Sequence, residues 1–134
     1  MEPIQCNLLE MQPSRREAEV SEPVLTARGV RMERITSLGQ ASPEGFWFDQ
    51  EEAEWVMLLA GGARLTIEGE VEDRQLQAGD AIFLPSGCRH RVAWTDPDEP
   101  TIWLALFLDA QLDPSVGRLA AGGSDHAEQT GSNR

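Results

Sequence analysis

The stretch that most constrains the fold runs from Gly79 to Trp94 and contains two apolar segments separated by a sharp corner. Gly79 and Asp80 are a turn pair, and the four apolar residues that follow have the length of a short strand. Pro85 and Gly87 then interrupt the run, because proline cannot donate to a strand ladder and glycine tolerates a positive φ. A second strand follows as far as Trp94. The stretch therefore predicts two β-strands that meet at a corner.

The rest of the chain repeats this pattern of short strands separated by turns rich in glycine and proline. Further strands are predicted at 24–28, 30–36, 46–49, 54–60, 63–68, 71–76 and 101–108. We expect a register shift or bulge near Arg34, and a tight hairpin at Gly61 and Gly62. Short strands with turns roughly every eight to twelve residues indicate a β-sandwich or barrel. The predicted fold class is therefore all-β, in a single domain.

Length and charge limit the number of domains and the kinds of partner. A chain of 134 residues has the usual size of one domain. We expect an N-terminal arm over 1–23, the barrel over 24–110 and a disordered tail over 111–134. The formal net charge of −12 argues against binding to nucleic acid or to an anionic membrane. The sequence has no lysine, which excludes a Schiff-base mechanism.

The sequence also predicts a cytoplasmic location. No apolar run approaches the roughly 20 residues that span a bilayer, and the first residues lack the features of a signal peptide. In that compartment Cys6 and Cys88 are expected to be free thiols. Cys88 is next to Arg89, so either a neighbouring positive charge lowers its pKa and makes it reactive, or it is a small residue that fills a corner.

The spacing of glycine, proline and histidine after Asp80 resembles the second motif of the cupin superfamily. That motif is a Gly, five residues, a Pro, one residue, a Gly, two residues and a metal-binding His. Those four positions are occupied by Gly79, Pro85, Gly87 and His90. Three residues later the family has an Asn, where this chain has Trp94. The resemblance implies a double-stranded β-helix, that is, a small jelly-roll barrel of the RmlC-like type.

The first cupin motif is matched only in its second half. The motif has two His, a Glu, six residues and a Gly, and Glu54 and Gly61 stand at that last spacing. The two histidine positions hold Trp47 and Asp49, or, in the shorter spacing that the motif also allows, Phe48 and Gln50. The resemblance covers roughly residues 32–108, and its departures fall on the residues that bind metal in the family.

Two of the family's metal ligands, Glu54 and His90, are nevertheless present. Because side chains alternate along a strand, Glu54 shares a face with Val56. By the same rule, His90 shares a face with Val92 and Trp94. If those apolar residues point into the barrel, Glu54 and His90 do so too. A carboxylate in an apolar interior is costly unless it is paired or bound to a metal. The resemblance places both side chains at the metal-facing centre of the barrel.

Three outcomes for this pair are left open. In the first, Glu54, His90 and Asp49 (or Gln50) bind one divalent ion, Mn, Fe, Ni or Zn, in a metal-dependent oxygenase or isomerase. In the second, no metal binds, and the carboxylate raises the pKa of His90 and prepares it for acid–base chemistry. In the third, the two form a buried polar pair in a barrel that binds a small ligand without metal or catalysis.

The predicted ligand pocket consists of Trp47, Gln50, Val56 and Trp94. The two tryptophans replace polar residues of the cupin motifs, and packing in the core is the alternative role for both. The expected partner is a small molecule. The segment 54–60 is apolar on both faces, which is typical of a strand between packed sheets or under a partner subunit, and we expect a homodimer.

Overall fold

The computed structural model describes residues 1–10 and 14–117 of the chain. These residues form eight β-strands and no helix, so no described helix is long or apolar enough to cross a membrane. The strands are β1 (Val20–Ala27), β2 (Val30–Ser37), β3 (Ala53–Ala60), β4 (Gly62–Ile67), β5 (Arg74–Gln77), β6 (Ala81–Leu84), β7 (His90–Thr95) and β8 (Thr101–Leu108). The all-β fold predicted from the sequence is confirmed.

The strands form two antiparallel sheets that pack face to face. The five-stranded sheet has the order β1-β2-β8-β3-β6, and the three-stranded sheet has the order β5-β4-β7. The chain changes sheet after β3, β5, β6 and β7, as expected of a jelly-roll barrel. The buried core between the sheets consists of Val56, Leu58, Ala63, Leu65, Leu76, Ile82, Leu84, Trp103, Ala105 and Phe107. Strand alternation sends these side chains inward.

Several predicted boundaries differ from the observed ones. β1 begins at Val20, inside the segment expected to be an arm. The predicted strand 46–49 is reduced to one isolated bridge at Phe48, and the predicted strand 71–76 forms only as β5. Residues 118–134 of the expected tail lie outside the described residues.

The register shift expected near Arg34 lies instead on the neighbouring strand. β2 pairs with β8 in unbroken register from Val30 to Ser37. The irregularity is in β1, between Pro23 and Leu25. Proline removes one donor from the ladder, which explains why the shift occurs on β1 rather than on β2.

Gly61 connects the two sheets, and the predicted hairpin at this position is wrong. β3 belongs to the five-stranded sheet and β4 to the three-stranded sheet, so the chain turns a corner at Gly61 with φ of 85°. A Cβ atom there would overlap Thr101 Oγ1 and lie 2.5 Å from Thr101 Cα. The Thr101 hydroxyl donates to the Gly62 carbonyl and accepts from the Gly62 amide. The corner is therefore packed directly against the start of β8.

We expect Gly61→Ala to lower the free energy of unfolding by about 3 kcal/mol, because left-handed backbone strain adds to the overlap with Thr101. Gly69→Ala is the matched control, since Gly69 has φ of 94° but no atom within 4 Å of the position that a Cβ would take. The control should lose only about 1 kcal/mol. Urea unfolding measures both variants. Equal losses would show that the corner is not tightly packed.

Candidate active site

A cavity of about 250 Å³ lies between the two sheets, and we call it the barrel cavity. Its apolar lining residues are Ile35, Phe48, Val56, Leu65, Leu84, Val92, Trp103, Ala105 and Phe107. Its polar lining residues are Glu19, Ser21, Arg31, Glu33, Gln50, Glu54 and His90. An apolar cavity with a few convergent polar groups is typical of a small-molecule site.

The corner before β7 positions His90. Gly87 has φ of 78°, and the Cys88 amide donates to the Pro85 carbonyl at 3.0 Å, which closes a turn. Next to this turn, Phe48 and His90 exchange two backbone hydrogen bonds of 2.7 and 3.1 Å. Their rings stack with centroids 5.2 Å apart. Phe48 therefore fixes the backbone of His90 by hydrogen bonds and packs against one face of its imidazole ring.

Glu54 faces His90 inside the barrel, as strand alternation predicted for both residues. Glu54 Oε1 lies 3.9 Å from His90 Nε2, and the side chains are 13% and 7% exposed. His90 Nδ1 lies 3.0 Å from the Cys88 carbonyl oxygen, which can only accept a hydrogen bond. In the neutral ring Nδ1 therefore carries the proton, and the unprotonated Nε2 is directed at the Glu54 carboxyl group.

Burial shifts the pKa values of these two groups in opposite directions. Burial raises the pKa of Glu54 to about 7, although the positive charge of Arg31 acts to lower it. Burial also lowers the pKa of His90, although the hydrogen bond to Cys88 acts the other way. The second of the three outcomes, in which the carboxylate raises the pKa of His90, does not match this direction. Between the lowered pKa of His90 and pH 7, a protonated carboxyl group therefore faces a neutral imidazole.

Of the two roles considered for Cys88, a reactive thiol or a small residue that fills a corner, the structure favours the second. Its side chain packs against the core, and burial, together with the negative charge of Glu70, raises the pKa of the thiol above its ordinary value. The thiolate that a reactive cysteine needs is therefore disfavoured.

Trp94 lies outside the barrel cavity, contrary to expectation. The pairing of β4 with β7 shifts register between Arg64 and Leu65, and Ala93 is the extra residue on β7. A bulge of one residue reverses the alternation of side chains. Trp94 is consequently 37% exposed and lies 5.4 Å from the Arg64 guanidinium, on the face opposite His90.

The side chains of Trp47 and Asp49 also point away from the barrel cavity. Asp49 is 57% exposed, and its carboxylate lies 3.7 Å from the guanidinium of Arg89. The same guanidinium lies 5.2 Å from the centre of the Trp47 ring. The structure therefore does not bring Asp49 to Glu54 and His90, and it does not place Trp47 in the pocket.

Phe48 and Gln50 occupy the positions inside the cavity instead, which corresponds to the shorter spacing of the first cupin motif. The Gln50 amide nitrogen lies 3.4 Å from Glu54 Oε1, at the long limit of a hydrogen bond. Gln50 and Val56 both line the cavity, as predicted.

Asp49 lies outside the barrel cavity, so the metal centre formed by Glu54, His90 and Asp49 does not fit the structure. In the alternative with Gln50, that residue does line the cavity, but its neutral amide is not among the usual ligands of zinc. Glu54 and His90 supply one carboxylate and one imidazole, whereas a catalytic zinc site usually has three protein ligands. Within residues 1–10 and 14–117, no group of three or more His, Cys, Asp or Glu side chains is arranged to hold a metal ion.

Sequence reasoning missed the charged residues that β2 contributes to the barrel cavity. Arg31 and Glu33 line it together with Ile35. The available signal was that Ile35 shares a strand face with both of them. The face carrying Val30 and Met32 looks more apolar, yet it is turned away from the cavity.

We expect Glu54→Gln to be more stable than the wild type at pH 8 but not at pH 4. A carboxyl group with an ordinary pKa of 4.5 and a folded pKa of about 7 binds more protons in the folded state. Wild-type stability therefore falls between these two pH values and stays lower above pH 7. The loss in the free energy of unfolding that Glu54 causes between pH 4 and pH 8 is about 3 kcal/mol. Urea unfolding at both pH values, with the exposed Glu72→Gln as control, measures it. A gain independent of pH would show that Glu54 does not titrate near 7.

Comparison with known proteins identifies the family. The model of the family described as "Cupin domain" matches residues 39–107. A crystal structure from Ralstonia eutropha JMP134, of a protein provisionally named a mannose-6-phosphate isomerase, is 46% identical, with 81% of this chain and 100% of that chain covered and a TM-score of 0.77. A comparison with curated proteins gives no match.

Two more distant structures show the same fold. A cupin superfamily protein from Desulfitobacterium hafniense DCB-2 is 14% identical over 81% of this chain and 93% of that chain, with a TM-score of 0.63. An RmlC-like cupin from Shewanella frigidimarina NCIMB 400 is 17% identical over 69% and 78%, with a TM-score of 0.57. These two structures show the fold alone. The match to the family model and the 46% identity to the Ralstonia protein establish that the chain belongs to the cupin superfamily.

Proposed function

We propose that this cupin is a small-molecule isomerase in which Glu54 and His90 move a proton on a carbonyl compound. The observation that carries the proposal is the pair of buried side chains facing each other with 3.9 Å between Oε1 and Nε2. That separation exceeds a hydrogen bond, so neither atom is fully used by the other. Both atoms are available to a ligand in the barrel cavity.

The two groups have complementary roles. The unprotonated Nε2 of His90 accepts a proton from the carbon next to a carbonyl group, and protonated Glu54 donates its proton to the carbonyl oxygen. The electron pair of the broken C–H bond forms the carbon–carbon double bond of an enediol. Return of the first proton to the neighbouring carbon, with loss of a hydroxyl proton to the Glu54 carboxylate, completes the isomerisation and restores both groups.

The surroundings of the pair suit this chemistry. A carboxyl group with a pKa of about 7 exchanges protons readily at neutral pH. The imidazolium formed during the reaction would lie beside the Glu54 carboxylate, whose opposite charge stabilises it strongly away from bulk water. The name of the similar Ralstonia protein supports the isomerase class. The phosphorylated substrate is part of the name of the Ralstonia protein and is not carried over to this chain.

A ligand-binding cupin without catalysis is the second candidate. It is favoured by the predominantly apolar lining of the barrel cavity, which could hold a small molecule by burial alone. The homodimer and the cytoplasmic location expected from the sequence stay predictions, and a bound divalent metal is one of the three alternatives that the sequence leaves open.

Proton exchange distinguishes the two candidates. In D₂O the protein should catalyse the incorporation of deuterium at the carbon next to the carbonyl group of a small hydroxyaldehyde or hydroxyketone. Proton NMR measures this as loss of the signal of that C–H proton. We expect Glu54→Gln and His90→Gln each to slow exchange by about 100-fold or more. The exposed Glu72→Gln should keep the wild-type rate. If the wild type exchanged no faster than Glu54→Gln with any compound tried, the result would favour a ligand-binding cupin without catalysis.

Metal analysis tests the role of a divalent ion. We expect protein purified without a histidine tag to contain well below one ion per chain, because in the described site only one carboxylate and one imidazole, Glu54 and His90, converge. Deuterium exchange should also be unchanged by EDTA. One equivalent of Mn, Fe, Ni or Zn that is lost in both Glu54→Gln and His90→Gln would instead establish a metal-dependent protein.

A further inference from the structure

We propose that the barrel cavity admits uncharged ligands and rejects phosphate and carboxylate groups, and that Glu33 and Glu52 set this specificity by occupying Arg31. The inference rests on the proposed function insofar as it takes the barrel cavity as the ligand site. For that function it restricts the substrate to a hydroxycarbonyl compound without an anionic group.

Arg31 is the residue that would otherwise bind an anion. It is the only arginine among the described residues that line the barrel cavity, and there is no lysine in the sequence. One terminal nitrogen donates to Glu33 at 2.5 Å and the other donates to Glu52 at 2.7 Å. The guanidinium carbon lies 4.1 Å from the centre of the Phe107 ring. Two carboxylates therefore neutralise this cation, and an aromatic ring covers one of its faces.

The neighbouring arginines cannot replace it. Arg34 pairs with Glu22 at 3.0 Å on the outer side of β2. The Arg91 side chain donates to backbone carbonyls of the loop before β3, and Arg89 pairs with acidic side chains outside the cavity. None of the three lines the barrel cavity. A phosphate in the cavity would meet no cation that lacks a carboxylate partner in the described part of the chain.

The remaining charged groups of the cavity repel an anion. Glu19 and Glu33 line it, and Glu52 lies at its edge, so two carboxylates on the single Arg31 guanidinium leave a net negative charge there. A phosphate that displaced Glu33 or Glu52 from Arg31 would leave that carboxylate without its partner and next to a second negative charge. Phosphate sites in proteins instead provide unpaired arginine forks or backbone N–H groups. Discrimination by an arranged like-charge contact is a common source of specificity.

Neutralising the two acids should open the cavity to anions. The test uses the full chain in a His126→Gln background, so that His90 gives the only imidazole signal in proton NMR. The probe is inorganic phosphate, titrated at constant ionic strength, with mannose and mannose 6-phosphate as a matched neutral and anionic pair. We expect no saturable shift of the His90 signal with phosphate in the wild-type cavity. Glu33→Gln/Glu52→Gln should bind phosphate about tenfold or more tightly than the wild type, because Arg31 is then free.

The matched control is Glu72→Gln/Glu99→Gln, which removes the same net charge from two exposed positions. It should bind phosphate no better than the wild type. If the double variant of the cavity does not fold, the single variant Glu52→Gln, at the more exposed partner of Arg31, should still gain phosphate binding.

Either of two results would overturn the inference. One is saturable binding of phosphate, or of mannose 6-phosphate in preference to mannose, in the wild type. The other is a cavity variant that gains no more than its control. Failure of the proposed function looks different: deuterium exchange would be absent while the pattern of phosphate binding held. Exchange on phosphorylated substrates alone would leave the acid–base pair in place and remove the charge specificity.

Discussion

The central constraint on this protein is the burial of one carboxyl group against one imidazole inside a mostly apolar barrel. Glu54 is on β3, and its side chain lies on the same inward face of the strand as Val56 and Leu58. It cannot leave the interior without turning those two residues out of the core. Since an isolated carboxylate there is costly, the group favours its protonated form. The protein thus retains a destabilising side chain at the position where a ligand would meet it, as expected when function rather than packing selects the residue.

The two halves of the site are held by different means. Glu54 belongs to a regular strand in the middle of the larger sheet, whereas His90 follows a turn and is fixed by Phe48 and by the Cys88 carbonyl. These contacts fix both groups on backbone that is hydrogen-bonded, and the separation between Glu54 Oε1 and His90 Nε2 is 3.9 Å. The contacts of Arg31 with Glu33 and Glu52 add a second constraint at the edge of the cavity, and under the proposed specificity they make charge a criterion for which ligands enter.

Much of the fold could be predicted from the sequence because its signals are local. The apolar runs 81–84 and 101–108 predict β6 and β8 with their observed bounds. The burial of Glu54 and His90 also follows from alternation within one strand each. Trp94 could not be placed in this way, because the bulge at Ala93 arises from the pairing of β7 with β4 and is visible in neither strand alone. Likewise, the bridge between Phe48 and His90 decides which of the two motif spacings faces the cavity.

The contact between Gly61 and Thr101 and the central place of β8 between β2 and β3 have a consequence for biosynthesis. Of the strands in the described part of the chain, β8 is synthesised last, and it joins the two halves of the larger sheet. While the polypeptide is still emerging from the ribosome, the hairpin of β1 and β2 can form, but it has no neighbour on its inner edge. Completion of the barrel must therefore wait for the release of residues 101–108, and until then the nascent chain exposes strand edges that chaperones or other nascent chains can bind.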